Sequence, residues 1–341
     1  MSSLLELNPY EAIKSPMPPG GDERLECLLA WALLAPSPHN TQPWIWSVQN
    51  GVVELRGDYS RLLPVADPDG REMLIGCGCA LEHFLLRLGL EGIRCRVDLL
   101  PEANEPHLLA RVTTGTGEAP APRADLVDVM PRRRTNRLAY HGTPMPEALR
   151  ASLDSACAAF GVDTRWVHEA SLRAELVNLI MAADREQMAS TEFRRELSHW
   201  MRPEHSRQED GMEADLLGQK GIAAYLAPLV VRTFDVGKMQ AAKDAQLTEG
   251  SPDIVVLSTP HDDSASRLAT GRALAHLTLT AMSADRYSAY MNQPCELPAA
   301  RSHLALLLGL AGHPQLVIRL GLAEPVHPAL RMPVARVLHR T

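Results

Sequence analysis

The sequence predicts an α+β protein built from two tandem copies of one folding unit. Strand candidates alternate with long apolar helices, and the helical segment 78–86 is echoed by 271–279, with six of nine positions identical or a Phe/Leu exchange. Helices rich in Ala, Leu and Gly can resemble each other by composition alone. The matching order of the flanking strands favours duplication: strands are predicted at 52–55 and 107–112 in the first copy, and at 254–257 and 315–320 in the second.

The composition is that of a globular protein and narrows the classes of function. The chain has 341 residues, 45% hydrophobic and 22% charged, with a net charge of −7. Because phosphate neutralisation needs a basic face, this balance argues against a nucleic-acid binder. Six cysteines without a C-x-x-C pair indicate neither a zinc site nor a secreted disulfide framework, so we expect no metal. With no leader-like segment and no run of 18 apolar residues, we expect a cytoplasmic protein that does not cross a membrane.

The first copy is predicted to span residues 22–121, after a proline-rich N-terminal arm at 1–21. Asp22 can cap a helix at 25–34 that is apolar nearly all round and is therefore expected to be buried. Two strands at 44–48 and 52–56 are joined by Asn50-Gly51, a strong hairpin signal. The remaining elements are a helix and two strands, predicted at 69–90, 94–100 and 107–113.

The second copy is predicted to span residues 122–341 and to repeat this plan. Its first helix, the counterpart of 25–34, is predicted at 172–183. A long excursion at about 196–244 has no equivalent in the first copy. Its length and mixed polarity favour a lid rather than a structureless linker, and we call this segment the lid.

A loop with a distinctive pattern follows the first helix: Pro36-Ser37-Pro38-His39-Asn40-Thr41-Gln42-Pro43-Trp44. The prolines end the helix and leave Ser37, Asn40 and Gln42 as short polar groups at the mouth of a buried element. A helix stop before a strand would explain the prolines alone. The full spacing P-S-x-x-N-x-Q-P-W, however, resembles the flavin-contacting loop of the FMN-dependent nitroreductase family. The resemblance implies that Pro36, Ser37, Pro38, Asn40 and Gln42 contact FMN.

A basic run opens the second copy. Arg133, Arg134, Thr135 and Arg137 resemble the R-R-S-x-R-like motif with which nitroreductases begin, with Thr in place of Ser. A phosphate dianion prefers several guanidinium donors, and Arg331 matches an arginine that the family brings to the same phosphate. The resemblance implies that Arg137 lies at the pyrimidine edge of the flavin, where a cation raises the reduction potential. A solvated basic loop or a nucleic-acid patch is the alternative, which the net charge disfavours.

The distribution of these motifs predicts one flavin site per chain. Nitroreductases form homodimers whose flavins lie at the subunit interface, each contacted by both subunits. Here the first copy has the Pro-Ser loop and the second has the basic run. The resemblance therefore implies a nitroreductase fold in which the two copies form an intramolecular pseudo-dimer, as in the Acg branch of the superfamily. The chain would be a monomer of this kind or associate further as a homodimer.

The expected function is that of an FMN flavoprotein that takes a hydride from NAD(P)H at flavin N5. Its electrons would pass to a small-molecule acceptor such as a nitro compound or a quinone. No protein residue is assigned a catalytic role, because the cofactor carries the chemistry. No GxGxxG, Walker or GxSxG motif offers another cofactor or a hydrolase. The alternative is a protein that stores or sequesters FMN beneath the lid and turns over little.

Overall fold

The fold was obtained as a computed structural model that describes residues 2–203, 206–218 and 222–340. The lid is therefore described except at 204–205 and 219–221. The predicted N-terminal arm is more regular than its prolines indicated. It contains two short helices, α1 (Ser2–Leu5) and α2 (Pro9–Ala12), and it buries Leu5 and Ala12 in the core of the first unit. Asn8 supplies the cap of α2 by accepting a hydrogen bond from the Tyr10 amide.

The first unit contains two long helices and a four-stranded antiparallel sheet in the order β1-β2-β4-β3. All of its elements were predicted from the sequence to within a few residues at each end. In chain order they are α3 (Gly21–Ala32), β1 (Trp44–Gln49), β2 (Val52–Gly57), α4 (Arg71–Leu90), β3 (Cys95–Leu99) and β4 (Leu108–Thr114).

The hairpin between β1 and β2 has the predicted turn, with positive φ at Asn50 and Gly51. Asp22 does not cap α3, which begins one residue earlier at Gly21. Instead its carboxylate accepts hydrogen bonds of 2.7 Å from the backbone amides of both turn residues. Asp22 thus fixes the hairpin to the start of the helix, because a turn amide is a donor that the strands leave unused.

The second unit has a four-stranded antiparallel sheet in the order β5-β8-β10-β9, together with a larger set of helices. Its elements are α5 (Ala124–Val127), α6 (Glu147–Ala158), β5 (Asp163–Trp166), α7 (Ala170–Ala189), α8 (Thr191–Trp200), β6 (Met201–Arg202), β7 (Met212–Glu213), α9 (Ile222–Thr233), α10 (Gly237–Glu249), β8 (Asp253–Thr259), α11 (Ser264–Ser283), β9 (Tyr287–Tyr290), α12 (Gln293–Glu296), α13 (Pro298–Leu308), β10 (His313–Gly321) and α14 (Val334–Val337).

The two sheets have the same strand order when β1, β2, β3 and β4 are matched to β5, β8, β9 and β10. In both, the long helix α4 or α11 follows the second strand. This correspondence corrects two details of the prediction. The helix before β5 is α6, so α6 and not the segment 172–183 takes the place of α3. The additional segment then runs from 167 to 252, between paired strands, and is wider than 196–244; we call it the insertion.

The units meet where α4 crosses α11. A Cβ atom on Gly78 would lie 2.3 Å from the carbonyl oxygen of Leu268, and one on Gly271 would lie 2.0 Å from that of Ile75. The echo in the sequence matches Gly78 with Gly271, and the same offset matches Ile75 with Leu268. The contact is therefore symmetric, as in an isologous dimer interface. This geometry supports the interpretation as an intramolecular pseudo-dimer.

The C-terminal segment returns to the first unit. Leu338 forms a parallel bridge with Trp46, and the amide of His339 donates to the Trp46 carbonyl at 2.7 Å. Val334 and Val337 on α14 are buried in the same core as Trp46. The first unit is thus closed by the last residues of the chain, a feature that the predicted boundaries of 22–121 and 122–341 do not convey.

In the part of the chain that the structure describes, one helix is long and apolar enough to cross a membrane by length and composition alone. This is α4, and 89% of its most apolar window is buried inside the protein. Its residues pack against both α3 and α11 and against the first sheet. A central helix surrounded in this way is expected to be apolar on every side.

Candidate functional site

A cavity of ≈ 840 Å³ lies between the two units and beneath the lid. Its walls come from the N-terminal half of α4, the Pro-Ser loop, the basic run, the second sheet and the insertion. Apolar groups from the insertion include Met188, Phe193, Met201, Met212 and Val231. A cavity of this size, largely apolar with a few converging polar groups, is typical of a cofactor or ligand site.

The Pro-Ser loop forms one wall of this cavity. Pro36, Ser37 and Pro38 line it as predicted, and His39 also lines it, which the motif did not indicate. Ser37 Oγ accepts a hydrogen bond of 2.8 Å from the Gln42 amide, so its hydroxyl holds the loop as well as facing the cavity. Positive φ angles at His39, Asn40 and Gln42 make the loop compact.

Asn40 and Gln42 do not line the cavity, in contrast to the prediction that they contact a flavin ring. Their amides join three segments of the chain instead. Asn40 Nδ2 donates to the carbonyls of Gly211 at 2.9 Å and Leu330 at 3.0 Å. Gln42 Nε2 donates to Glu209 O at 2.8 Å, and its Oε1 accepts from the amide of Met332 at 2.9 Å. These contacts fix the lid and the C-terminal segment to the Pro-Ser loop, and they use the groups that a ligand would need.

Thr135 and Arg137 are the two residues of the basic run that line the cavity. The Arg137 guanidinium contacts the sulfur of Met212, which lies 3.8 Å from Nη2. Within the described ranges, no carboxylate lies within ion-pair distance of Arg137. Burial lowers the pKa of Arg137, since its charge is desolvated. An electron-rich or anionic group in the cavity would compensate that charge.

Arg133 and Arg331 lie together beyond the cavity wall, at the C-terminal end of α3. Nη2 of each donates to the carbonyl of Leu34, at 3.1 and 3.3 Å, and Arg331 Nη1 donates to Asn40 Oδ1 at 2.7 Å. Arg133 Nε and Nη1 and Arg331 Nε are buried and donate to no described group. Burial lowers the pKa of Arg331 to about 10. Two buried guanidinium groups without a carboxylate among the described residues are suited to an anion.

Arg134 occupies a different position from its two neighbours in the motif. It is half-buried, donates to the Pro131 carbonyl at 2.7 Å and lies over the ring of Tyr10 at 5.2 Å from the centroid. The short N-terminal helix α2 therefore contacts the basic run through a cation–π pair. Of the five cations and polar groups predicted around FMN in the second unit, Thr135 and Arg137 face the cavity, whereas Arg133, Arg134 and Arg331 lie behind it.

The motifs did not reveal several charged residues that line the cavity. Two are cations of the second unit, Lys243 and Arg319, and neither has a carboxylate within ion-pair distance among the residues that the structure describes. Four others are carboxyl groups contributed by four helices, namely Glu72 of α4, Asp184 of α7, Asp244 of α10 and Glu296 of α12.

These four carboxyl groups share an environment that disfavours their charge. Burial raises the pKa of Asp184 and of Glu72 to about 8 each, and that of Glu296 to about 7, with neighbouring carboxyl groups adding to each shift. The pKa of Asp244 is raised as well, again by burial. No motif indicated them, because the residues are 52 to 224 positions apart along the chain.

The lid is attached to the first unit by two carboxylates. Asp210 Oδ1 accepts from Arg202 at 2.8 Å, and its other oxygen pairs with Arg61 of the first unit. Glu196 accepts hydrogen bonds from the amides of Val65 at 2.9 Å and Ala66 at 2.8 Å. The pKa of Asp210 is lowered, because its arginine partners outweigh its partial burial. The lid is therefore closed over the cavity by charge-assisted contacts.

Comparison with known proteins gives a consistent result over nearly the whole chain. A Mycobacterium tuberculosis H37Rv protein provisionally named NAD(P)H nitroreductase, Rv3131, is 29% identical over 323 residues, which cover 93% of this chain and 91% of that protein. The provisionally named NAD(P)H nitroreductase acg of the same strain is 28% identical over 326 residues, with 90% and 93% covered. No protein-family model matches the chain.

Among solved structures, a provisionally assigned nitroreductase from Anabaena variabilis matches the fold with a TM-score of 0.55. The match covers 94% of this chain and 91% of that one at 10% sequence identity, so it bears on the fold alone. At that coverage the match extends over both units. Over nearly its whole length the chain is thus similar in sequence to proteins that carry the name NAD(P)H nitroreductase, Acg among them, and it shares the fold of the Anabaena variabilis structure.

Proposed function

We propose that the chain is an FMN-dependent oxidoreductase that uses NAD(P)H to reduce a small-molecule acceptor. One observation carries the proposal: Ser37 of the Pro-Ser loop and Arg137 of the basic run, 100 residues apart in the sequence, line the same cavity of ≈ 840 Å³. Two sequence-matched relatives carry the name NAD(P)H nitroreductase, which supports the choice of reductant.

The residues present fit the cofactor. Pro36, Ser37 and Pro38 would lie along one face of the ring, and Thr135 and Arg137 would contact its polar edge. The buried guanidinium nitrogens of Arg133 and Arg331, which donate to no described group, provide the donor set that a phosphate requires, with Arg134 adding charge beside them. Asn40 and Gln42 would act without contacting the cofactor, because they hold this loop against the lid and the C-terminal segment.

When bound, the flavin supplies hydride chemistry that no side chain here can provide. The protein contributes position and electrostatics. Arg137 places an uncompensated positive charge in the cavity, which favours the electron-rich reduced state of a ligand near it. Lid residues such as Met201 and Met212 replace water at the cavity wall, and this strengthens every electrostatic contact inside.

The direct test is an anaerobic absorbance titration of the FMN-reconstituted protein with NADPH and then NADH. We expect bleaching of the flavin band at a catalytically useful rate, followed by reoxidation on addition of a nitro compound or a quinone. A bound flavin that dithionite reduces and both nucleotides leave oxidised would contradict the proposed reductase.

The residue assignment has a matched control inside the basic run. We expect Arg133→Ala with Arg331→Ala to weaken FMN retention by at least tenfold, because the phosphate would lose two charge-assisted partners. Arg132→Ala should leave retention unchanged, since Arg132 is exposed and pairs with Asp285 at the surface. Equal FMN affinity in the two variants, measured by equilibrium dialysis, would count against the phosphate site.

Sequestration of FMN is the second candidate, and it rests on the closed lid. If the lid limits turnover, loosening it should raise activity. Asp210→Asn removes the charge that holds Arg61 and Arg202, and we expect a several-fold faster NADPH oxidation in the FMN-loaded variant. An unchanged low rate, with the lid shown to be open by faster hydrogen exchange at 206–218, would argue against occlusion as its cause.

A further inference from the structure

Four carboxyl groups form a continuous acidic wall on the insertion side of the cavity. Gln293 Nε2 donates to Asp184 and to Asp244, at 3.0 Å each, and so joins α7 to α10. Gln187 Nε2 donates to Glu296, and Asn292 Nδ2 donates to Glu72 at 3.1 Å. Among the described residues, one cation pairs with this wall: Arg71, which contacts Glu72 at 2.9 Å. The wall has more acceptors than donors.

Two acceptor atoms in this wall have no donor among the described residues. Asp184 is 3% exposed, and its Oδ2 accepts no hydrogen bond from a described residue. The carboxyl group of Asp244 lies beside that of Asp184, and it can donate a hydrogen bond to Asp184 only when it holds a proton. The amide oxygen of Gln293 is likewise buried without a donor. Both side chains line the cavity. A buried acceptor left in this state is costly, so the arrangement is suited to a ligand that donates hydrogen bonds.

An organic cation fits this wall better than a metal ion. Within the described ranges, the one group of His, Cys, Asp and Glu side chains close enough to chelate a metal is Glu213, Asp215 and His327, outside the acidic wall. Among the described residues, no three carboxylates of the wall therefore lie close enough together to chelate a metal ion. The cavity also has an apolar lining that includes Met188, Met201 and Met212, whose flexible side chains adapt to varied ligand shapes.

We propose that the acceptor reduced in this cavity is an amphiphilic organic cation, in which an apolar or aromatic body carries an ammonium, amidinium or guanidinium group that binds at Asp184 and Asp244. This inference rests on the proposed function, since it names the substrate class of the same site. Lys243 and Arg319 are cations that lower the pKa of Asp244, so they disfavour a further cation at that end of the wall and direct the charged end of such a ligand towards Asp184. Asp184 has no cation among the groups that act on its pKa.

The test uses three nitrobenzenes that differ in charge and little in size: 4-nitrobenzylamine as its ammonium ion, 4-nitrobenzyl alcohol and 4-nitrobenzoate. Binding is measured at pH 7.0 by isothermal titration calorimetry with the FMN-loaded protein, in two buffers of different ionisation enthalpy, because the ammonium ion has to displace the proton that Asp184 retains at this pH. We expect the ammonium ion to bind at least tenfold more tightly than the alcohol, and the benzoate to bind most weakly. Equal affinities for the ammonium ion and the alcohol, or tightest binding of the benzoate, would overturn the proposal.

A second carboxylate on α7, Glu186, provides the control for Asp184. Asp184→Asn, alone and with Asp244→Asn, should reduce the advantage of the ammonium ion over the alcohol to about twofold or less, while the affinity for the alcohol stays the same. Glu186→Gln removes an exposed carboxylate two residues away on α7 and should retain the full preference. If the Asp184 variants keep the preference as well, the acidic wall is not its source.

The same titration without FMN separates this proposal from the proposed function. If the protein takes up no FMN but still prefers the ammonium ion, the cation site stands and the flavoprotein assignment fails. If FMN binds and is reduced by NADPH while the three nitrobenzenes bind alike, the reductase stands and the cation site fails.

Discussion

The two sheets share a strand order and differ in what covers their outer faces. In the first sheet, β2 alternates between buried and half-buried residues, and Glu54 on its outer face forms surface ion pairs with Arg56 and Arg111. In the second sheet, every residue of β8 is buried. There α7 and α13 pack against Ile254 and Val256, on the side that the first sheet leaves to solvent.

The difference shows that the first unit is a simple sheet-and-helix unit, whereas the second carries additional chain that encloses the cavity. The insertion that covers the second sheet also supplies the lid and two carboxyl groups of the acidic wall. A symmetric pair of simple units would leave two open grooves at their interface. Adding chain to one unit covers a sheet face and roofs a cavity with the same helices, so stability and ligand specificity are expected to be coupled in that unit.

The two units are joined where α4 crosses α11. We expect substitutions at this crossing to change the free energy of unfolding more than any others proposed here. Gly→Ala in a helix usually stabilises, by about 0.5–1 kcal/mol. Here Gly271→Ala would place a methyl group against the Ile75 carbonyl, and Gly78→Ala would do the same at Leu268. We expect each to lower the free energy of unfolding by about 3 kcal/mol or more, measured by urea denaturation.

The control for this pair is Gly20→Ala. Gly20 has extended backbone, and no heavy atom lies within 4 Å of the position that an alanine Cβ atom would take there. The free energy of unfolding should change by less than about 0.5 kcal/mol. If only one of the two helix variants is destabilised, the crossing is not the symmetric contact that we describe.

Covered and open sheet faces should respond differently to truncation. Ile254→Ala removes a fully buried side chain that packs between β8 and α7, and we expect a loss of about 2–5 kcal/mol. Glu54→Ala on the outer face of the first sheet loses only half-exposed ion pairs and should cost about 0–1 kcal/mol. Similar losses in the two variants, compared by thermal and urea unfolding, would show that the coverage does not matter energetically.

The acidic wall should make the covered unit sensitive to pH. Burial raises the pKa of Asp184 to about 8 from an unfolded value near 4, so the folded state retains a proton that the unfolded state releases. The contribution to stability is full below pH 4 and is lost as the pH rises through 8. We expect the ligand-free protein to become less stable between pH 6 and pH 9, and Asp184→Asn to reduce this decline by on the order of 2 kcal/mol. Parallel curves for the variant and the parent would contradict this.

The smallest change in stability is expected at the contact between the lid and the C-terminal segment. His327 Nε2 lies 2.5 Å from Asp215, and this carboxylate raises the pKa of the imidazole despite partial burial. The contact is therefore fully present below about pH 6.5 and is lost as the pH rises through the raised value. Because His327 is exposed, we expect its contact with Asp215 to contribute less than about 1 kcal/mol to the stability of the closed lid. After correction for the intrinsic pH dependence of exchange, the protection of the amides at 206–218 should be greater at pH 6 than at pH 8, and His327→Gln should abolish this difference in protection.

The sequence predicted the elements whose pattern is local. The hairpin at Asn50-Gly51 and the buried helices α3 and α4 have strong signals of their own, and the structure contains them within a few residues. The sequence did not predict α6 as the counterpart of α3. The reason is that α6 is exposed on most sides and buries only Leu153 and Cys157. The prediction took part of the more apolar helix α7 as the counterpart of α3. In the structure, the apolar surface of α7 covers the second sheet.

For the site, local motifs located the cavity and missed its charge pattern. Pro36, Ser37, Pro38, Thr135 and Arg137 face the cavity because short motifs fix their own backbone and direction. Asn40 and Gln42 are in the same loop, yet their partners at 209–211 and 330–332 could not be inferred from spacing. The acidic wall depends on four helices meeting, so no window of sequence contains it.

The return of the C-terminus to the first unit also sets an order of assembly. Trp46 is made early, but its bridge partner Leu338 is made nearly 300 residues later. At about 5–20 residues per second, a nascent first unit waits on the order of 15–60 s for the C-terminal segment that pairs with its edge strand β1. During synthesis that edge is exposed, so a truncated or stalled chain presents an unpaired strand to its neighbours. Quality control that recognises such edges would therefore detect an incomplete copy of this protein before the C-terminal segment has reached the Pro-Ser loop.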